Sequence, residues 1–251
     1  MRQVAAMFDS RALAQDPAPA WHGVAELEPG SFLASLRPEA HHALFHLGRR
    51  RVFRHGAPLL TQGHTPHWVM VLLRGRVKVA HHSDDGREVV LNIWGPGDLL
   101  GVVPSLDGEP ADATIIAVDD VEAQVLSTVR FEAFLQSHPE AQRVLLQVLI
   151  RRLRRATRDR TQLALNDTFG RVALRLVELA DRYGERDDGR IRITLPLSQN
   201  ELAAWTGTSR EATSKALQLM RQRGYIETFR REIHVLDIAS LRRRVAGVLG
   251  S

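Results

Sequence analysis

The residues of this chain best suited to chemistry are polar side chains that lie close together near the C-terminus: Thr208, Ser209, Arg210, Glu211, Ser214, Lys215 and Gln218. An arginine can donate two hydrogen bonds to O6 and N7 of guanine, and a carboxylate can accept one from N4 of cytosine. On one exposed helix face, such side chains would suit recognition of base edges in the major groove of DNA. Glu211 and Lys215 are also four residues apart, so a surface ion pair explains those two equally well.

Two helix-start signals flank a glycine here and would position the polar cluster. The pattern Ser198-x-x-Glu201 predicts a capping box that opens one short helix, and Thr208-x-x-Glu211 predicts a second. Gly207 suits a tight turn with positive φ, and the small Ala203 suits a close crossing of the two helices. Together these features indicate a helix-turn-helix. The inward face of its second helix is predicted to hold Ala212, Ala216, Leu219 and Met220.

The segment after the second helix predicts two short strands, at residues 224–227 and 232–236. The tip between them holds Arg230 and Arg231, which would suit contacts to DNA phosphates. The sequence therefore predicts a winged helix-turn-helix.

The charge of the chain is divided unevenly along its length. Residues 1–150 carry 13 Lys and Arg against 17 Asp and Glu, a net charge of −4. Residues 151–251 carry 21 against 12, a net charge of +9. This division indicates that only the C-terminal part meets a polyanion.

Composition and spacing argue against several classes of function. The chain has no cysteine, which excludes disulfide frameworks, thiolate zinc sites and cysteine-ligated iron–sulfur clusters. It has neither a stretch of roughly 18–20 apolar residues nor a signal-peptide pattern, so we expect a cytoplasmic protein without a membrane partner. It has no glycine-rich phosphate loop and no nucleophile elbow, so we expect no enzyme. His42 and His46 are four residues apart, but scattered surface histidines are the commoner case, and no metal site is predicted.

The N-terminal part changes from helical to strand-like periodicity. Residues 31–47 are predicted to be helical, whereas from Arg51 to Thr128 short apolar stretches and turn glycines predict an antiparallel sandwich or roll. A long helix is predicted from about Glu140 to Leu165, a second from about Phe169 to Tyr183, and a polar loop at residues 184–189.

The long helix carries apolar residues at heptad spacing. An exposed seam of this kind needs a partner, and a second copy of the chain is the simplest one. Packing against the roll of the same chain is the alternative. The predicted seam consists of Leu146, Leu149, Leu153, Ala156, Arg160 and Leu163.

In this order of elements, the chain resembles the cyclic-AMP receptor protein/FNR superfamily of bacterial transcription regulators. The resemblance extends from about residue 50 to residue 236 and rests on the motifs Gly75-Arg76-Val77, Gly97-Asp98-x-x-Gly101, Asp167-x-x-Gly170-Arg171 and Ser209-Arg210-Glu211-x-x-x-Lys215. It implies an α+β fold with an N-terminal antiparallel β-roll like the cyclic-nucleotide-binding jelly roll, a long dimerisation helix and a C-terminal winged helix-turn-helix. The implied division is an extension at 1–30, an effector domain at 31–138, the dimerisation helix and hinge at 139–166 and the DNA-binding domain at 167–251.

The resemblance also implies partners and base contacts. Relatives bind two-fold symmetric double-stranded DNA as homodimers and often contact RNA polymerase. Arg210 and Glu211 fall on the family's base-contacting Arg and Glu, whereas Lys215 falls where the cyclic-AMP receptor has a second Arg. A lysine lacks the bidentate fork of arginine. A half-site close to TGTGA is therefore expected.

The effector site departs from the family's cyclic-AMP pattern. Where cyclic-AMP-binding relatives have a Glu for the ribose hydroxyl, this chain has Val102, and Ala111-Asp112 replaces the Arg-Ser pair for the cyclic phosphate. On the long helix, Ala156 stands where a threonine contacts adenine, although Thr157 follows. The expected effector pocket consists of Gly101, Val102, Val103, Ala111, Asp112, Ala113, Ala156, Thr157 and Arg160.

These departures argue against ordinary cyclic-AMP binding and leave three hypotheses. The first is a homodimeric DNA-binding regulator that responds to another effector or needs none. The second adds a larger anionic effector, such as a cyclic dinucleotide, held by arginines that include Arg160. The third is a sensor that acts through protein partners. Val103 stands where the family's haem-based carbon monoxide sensor has a histidine, and no resident cofactor is predicted.

Overall fold

A computed structural model of the chain describes residues 26–229 and 231–246. These residues divide into two compact units. The first contains residues 26–82 and 91–152, and the second contains residues 83–90 and 153–246. Most of the predicted N-terminal extension, and Arg230 at the predicted wing tip, lie outside the described residues.

The N-terminal part forms two four-stranded sheets, as the alternating pattern predicts. The strands are β1 Arg49–Phe53, β2 Pro58–Leu60, β3 Trp68–Arg74, β4 Val77–His82, β5 Glu88–Trp94, β6 Leu99–Leu100, β7 Thr114–Ala117 and β8 Val121–Ser127. One sheet has the order β1-β8-β3-β6, and the other has the order β2-β7-β4-β5. β3 pairs antiparallel with β8, and β4 pairs antiparallel with β7. This arrangement is the predicted antiparallel roll.

β3 is buried from Trp68 to Leu73 because both faces of this strand are covered. Successive side chains of a strand point to opposite faces. Val69 and Val71 therefore join the core beneath the helices, whereas Met70 and Leu72 join the core between the sheets.

The turn after β3 explains the Gly75-Arg76 pair of the sequence motif. Gly75 has a φ of +78°, and a Cβ there would lie 2.4 Å from the carbonyl oxygen of Asp120. Arg76 donates from Nε and Nη2 to the Asp119 carboxylate at 2.6 and 3.1 Å. The motif therefore ties the β3–β4 turn to the β7–β8 turn.

The prediction of one continuous helix over residues 31–47 was wrong. The segment forms a single 3-10 turn at Leu33–Ser35 and then the helix α1 at Pro38–His46. Between them Arg37 is extended, with φ −72° and ψ 154°, because a following proline disfavours the helical conformation. Two further short helices of this unit are α2, Val102–Asp107, and α3, Thr128–Ser137.

The long helix α4 spans Pro139–Leu165, close to the predicted bounds. Its first half packs on the β-roll through the buried side chains of Ala141, Leu145 and Val148. Leu149 of the predicted seam is also partly buried against this core. The exposed apolar side chains along this stretch of the helix are Leu146, Ile150 and Leu153, at 58, 41 and 68% exposure.

The second unit contains a helical core and one small sheet. Its helices are α5 Thr168–Tyr183, α6 Gln199–Thr206, α7 Arg210–Gln222 and α8 Ile238–Ala246. Its strands are β9 Gly184–Asp187, β10 Arg190–Ile193, β11 Ile226–Phe229 and β12 Glu232–Val235, in the order β11-β12-β10-β9. Asp167 caps α5, because its carboxylate accepts from the Gly170 N–H at 2.7 Å. Within the described ranges, no helix is long and apolar enough to cross a membrane.

The prediction of a polar loop at residues 184–189 was wrong. Residues 184–187 form β9, which pairs with β10 through a tight turn. Asp188 and Gly189 both have positive φ, of 43° and 77°, which suits the two-residue hairpin turn whose twist matches the strands. The strand has polar side chains because it is the edge of the sheet, with one neighbouring strand.

Candidate nucleic-acid interface and effector cavity

The N-cap of α7 is Ser209, one residue later than the N-cap of the predicted capping box. The hydroxyl of Ser209 accepts from the Ala212 N–H at 3.1 Å, which makes Ser209 the N-cap. Thr208 lies instead in a chain of hydroxyls, 2.9 Å from Oγ1 of Thr206 and 2.7 Å from Oγ1 of Thr213. The predicted capping role of Thr208 was therefore wrong.

The buried face of α7 differs from the predicted one. The residues with almost no exposure are Thr213, Ala216, Leu217 and Met220, at spacings of three, one and three. These spacings form one continuous stripe on a helix. Leu219, predicted to face inward, is 37% exposed, because it lies beside this stripe.

The opposite face of α7 carries the polar cluster. Arg210, Glu211, Lys215 and Gln218 are exposed, and Ser214 is half-buried. The Lys215 ammonium lies 2.8 Å from the Glu211 carboxylate, and both side chains are more than 70% exposed. The surface ion pair is therefore present in the free chain, beside an Arg210 whose guanidinium is open to solvent.

The preceding helix α6 has the predicted capping box. The Ser198 hydroxyl accepts from the Glu201 N–H at 3.2 Å, and the Ser198 N–H donates to the Glu201 carboxylate at 2.9 Å. Gly207 ends the helix with a φ of 61°, as predicted. Ala203 is buried, and its carbonyl accepts from the Thr208 N–H at 3.1 Å. These contacts fix the turn that connects α6 to α7.

The wing is formed by β11 and β12, close to the predicted strands. Arg231 at its tip is exposed and has a φ of 61°. A cleft of about 350 Å³ has both Arg210 and Arg231 in its walls, together with the start of α6 at Ser198 and Gln199. Two guanidiniums and a helix N-terminus at one cleft suit a phosphate group.

A second candidate site lies in the β-roll. A cavity of about 810 Å³ is lined by six residues of the expected effector pocket, namely Gly101, Val102, Val103, Ala111, Asp112 and Ala113. Gly101 has a φ of 69° and begins α2, where Val102 is buried. The described lining does not include Ala156, Thr157 or Arg160, which belong to the second unit.

Arg152 also lines this cavity, although it is absent from the pocket predicted from the sequence. Its guanidinium lies 4.1 Å above the ring of Trp94 and donates from Nη2 to the Leu99 carbonyl at 2.9 Å and the Asp98 carboxylate at 3.4 Å. Burial lowers the pKa of Arg152, and Asp98 opposes this effect. Arg152 follows Ala141, Leu145 and Val148 at core-facing spacings on α4, so a charge on the buried face was the available signal.

The other polar groups of the cavity are mostly acidic. Asp107, Glu109 and Asp112 are exposed lining residues. His81 is the second basic residue, and its Nδ1 lies 2.8 Å from the Asp112 carbonyl oxygen. A carbonyl only accepts, so Nδ1 of His81 carries the hydrogen.

No cluster of three or more metal-ligating side chains is found in the described part of the chain. His42 and His46 do approach each other on α1, with 2.9 Å between their Nε2 atoms.

Comparisons with known proteins agree with this geometry. Residues 50–138 match the family model of the cyclic nucleotide-binding domain, and residues 170–244 match that of the Crp-like helix-turn-helix domain. The chain is 33% identical over 192 residues to a CRP-like cAMP-activated global transcriptional regulator of Mycobacterium tuberculosis (strain CDC 1551 / Oshkosh), covering 76% of this chain and 86% of that protein. It is 29% identical over 213 residues to the cyclic AMP receptor protein of Thermus thermophilus, covering 85% and 95%. A crystal structure of a CRP-family transcriptional regulator from the same species has a TM-score of 0.69 at 28% identity, covering 78% and 96%.

Proposed function

The chain belongs to the CRP/FNR superfamily of transcription regulators, and on this premise we propose that it binds a two-fold symmetric, TGTGA-like DNA site as a homodimer. The DNA-contacting residues are those of the polar face of α7 and of the wing. DNA-bound dimers would act on RNA polymerase, in the cytoplasm.

The observation that carries this proposal is the division of α7 into two faces. Thr213, Leu217 and Met220 anchor one face in the core, so the helix presents the other in a fixed orientation. That exposed face begins with Arg210, directly after the N-cap. A rigid helix with exposed hydrogen-bonding side chains at its N-terminal end is what major-groove recognition requires.

The Glu211–Lys215 ion pair supports a specific division of labour on DNA. Glu211 would accept from a cytosine amino group, which requires it to turn away from Lys215 or to share its oxygens. Lys215 would then contact a phosphate or guanine as a single charge. An exposed ion pair costs little to break, because solvent screens it.

We propose an effector other than cyclic AMP, or none. Val102, Ala111 and Asp112 line the roll cavity at the places where cyclic-AMP-binding relatives use Glu, Arg and Ser. An exposed carboxylate at Asp112 would repel a cyclic phosphate instead of donating to it. The relative in Mycobacterium tuberculosis is named as cAMP-activated, and these three positions are why we do not extend that property to this chain.

The test of DNA recognition is fluorescence anisotropy with a labelled palindromic TGTGA duplex and a randomised duplex of equal length. We expect the palindrome to bind more tightly. We expect Arg210→Ala to weaken that binding by about 1–3 kcal/mol and to relax the preference at one base position. Arg37→Ala, an exposed arginine of the first unit, is the control with the same change of charge.

Two results would overturn the proposal. Equal affinity for both duplexes in every condition would remove sequence-specific recognition. Unchanged gene regulation with Arg210→Ala would favour a sensor that acts through protein partners. Repeating the titration with cyclic AMP and with a cyclic dinucleotide tests the effector: tighter DNA binding with either one would identify a nucleotide-responsive regulator.

A further inference from the structure

The cavity of the β-roll is large, mostly apolar, partly open to solvent and lined by residues of one unit. Its volume of about 810 Å³ is in the range of small-molecule sites. Leu60, Val79 and Ile115 supply aliphatic walls, and Trp94 adds an aromatic one. A ligand of this cavity therefore has an apolar body.

The charges of the lining decide which ionic groups that ligand can carry. The carboxylates of Asp107, Glu109 and Asp112 have no ion-pair partner among the described residues. The one arginine of the lining, Arg152, already interacts with the Asp98 carboxylate. The lining is thus net negative, which repels an anion and attracts a cation.

Burial separates the two kinds of charge within the cavity. The Arg152 side chain is only 20% exposed, whereas Asp107, Glu109 and Asp112 are exposed residues. The hydrogen bonds of Arg152 to described residues both use Nη2, so Nε and Nη1 are available to an acceptor atom. A neutral oxygen of a ligand would accept a hydrogen bond from one of these nitrogens. An anionic group at the same place would also be repelled by the three carboxylates.

We propose that the β-roll cavity binds a cationic amphipathic amine, with its ammonium group at the acidic rim and a hydroxyl or carbonyl oxygen at Arg152. This proposal rests on the proposed function, since it names the chemical class of the effector. The apolar body of the ligand lies between the aliphatic walls, beside Trp94. With Nδ1 of His81 donating to the Asp112 carbonyl, a neutral His81 ring presents Nε2 as a further acceptor for ligand N–H groups, besides the carboxylates.

The test uses two probes of similar size and opposite charge. Serotonin carries an ammonium and a hydroxyl on an indole ring, and 5-hydroxyindole-3-acetate carries a carboxylate on the same ring. Isothermal titration of the full chain is expected to give an affinity for serotonin at least 10-fold higher than that for the acetate or for cyclic AMP.

A matched pair of variants connects the preference to the cavity. Asp112→Asn keeps the shape of the side chain and removes one rim charge, so serotonin binding is expected to weaken several-fold. Asp84→Asn removes an exposed carboxylate that does not line the cavity and is expected to leave the titration unchanged. Equal losses in both variants would contradict a specific role of the rim.

The proposal is overturned if the acetate or cyclic AMP binds as tightly as serotonin, or if serotonin does not bind. Fluorescence anisotropy of labelled DNA with the same protein preparation distinguishes a failure of the amine proposal from a failure of the proposed function. Intact DNA recognition without serotonin binding rejects the amine effector alone, whereas absent DNA recognition rejects the regulator whatever the cavity binds.

Discussion

At the residue scale, ionisable side chains of both units are held in partly or fully apolar surroundings. Arg175 is 6% exposed, yet it keeps a charged partner in Glu178 and lies 4.6 Å above the Trp205 ring. Burial lowers the pKa of Arg175, and Glu178 opposes this effect. His41 differs, because burial is what lowers its pKa, and its ring meets that of Phe45 edge-on at 5.4 Å. Of these residues, His41 is therefore the one expected to make stability depend on pH near neutrality.

The pH dependence of His41 has a definite sign. The folded chain binds a proton at His41 less readily than the unfolded chain, so below about pH 6.5 the unfolded state binds more protons. Stability therefore falls as pH decreases through that range. We expect the urea midpoint of the wild type to fall more than that of His41→Gln between pH 7.5 and pH 5.5. His64→Gln, at an exposed histidine, serves as the control, and parallel losses in wild type and His41→Gln would reject the role of His41.

Lys215 gives a second prediction at this scale. If Lys215 contacts a phosphate, Lys215→Gln should weaken DNA binding nearly equally for all sequences. It should also reduce the slope of log affinity against log salt concentration by about one, because one fewer counterion is released. Anisotropy titrations at four salt concentrations measure both effects. A change in base preference without a change in slope would instead place Lys215 on a base edge.

At the scale of elements, the DNA-binding unit depends on caps and turns whose partners are close in sequence. The capping box of α6, the Ser209 cap of α7 and the left-handed Gly207 all use residues within a few positions of each other. Such contacts can be predicted from sequence, because their geometry depends on local chain conformation. Whether Thr208 or Ser209 is the N-cap of α7 could not be predicted in this way. In the folded chain the Thr208 hydroxyl is hydrogen-bonded to those of Thr206 and Thr213.

The capping box of α6 can be tested by itself. Ser198→Ala removes the acceptor for the Glu201 N–H and should cost about 1 kcal/mol of unfolding free energy. Ser198→Thr keeps a hydroxyl and should recover most of the loss. Chemical denaturation followed by circular dichroism measures both variants. An unchanged midpoint in Ser198→Ala would show that the hydrogen bond is replaced by water.

A comparison of two glycines with nearly the same φ distinguishes the cost of backbone strain from the cost of a steric clash. Gly75 and Gly86 have φ of +78° and +80°, but a Cβ meets the Asp120 carbonyl at 2.4 Å in the first case and nothing within 4 Å in the second. Gly86→Ala should therefore lose only the roughly 1–2 kcal/mol of a left-handed alanine. Gly75→Ala should lose clearly more, because the backbone of the β7–β8 turn at Asp120 must move. Equal urea midpoints for the two variants would contradict this account.

At the scale of the whole molecule, the exposed apolar side chains of α4 form the surface through which we expect two copies of the chain to associate. Its core-facing residues are used by the β-roll, which leaves Leu146, Ile150 and Leu153 exposed at spacings of four and three. The heptad spacing of the sequence identified two of these three positions. It included Leu149, because spacing alone does not show which side of a helix the roll already covers.

The exposed stripe of α4 predicts the effect of a charge on the proposed dimer. Leu153→Glu places a carboxylate in an apolar interface and should shift the chain toward the monomer, with a loss of affinity for the palindromic site. Arg154→Glu introduces the same residue one position along the helix and should retain the dimer. Sedimentation velocity distinguishes the two. A dimeric Leu153→Glu variant would place the interface elsewhere.

The amino-acid sequence by itself determined the β-roll, the long helix, the winged helix-turn-helix and the polar face of α7. These features follow from hydrophobic period, caps and turn residues, which act over a few positions of the chain. The tertiary structure decided which leucines of α4 and α7 are buried, that residues 184–187 join a sheet, and that Arg152 lines the cavity. These depend on contacts across long separations, such as the 54 positions between Arg152 and Asp98, which only the folded chain brings together.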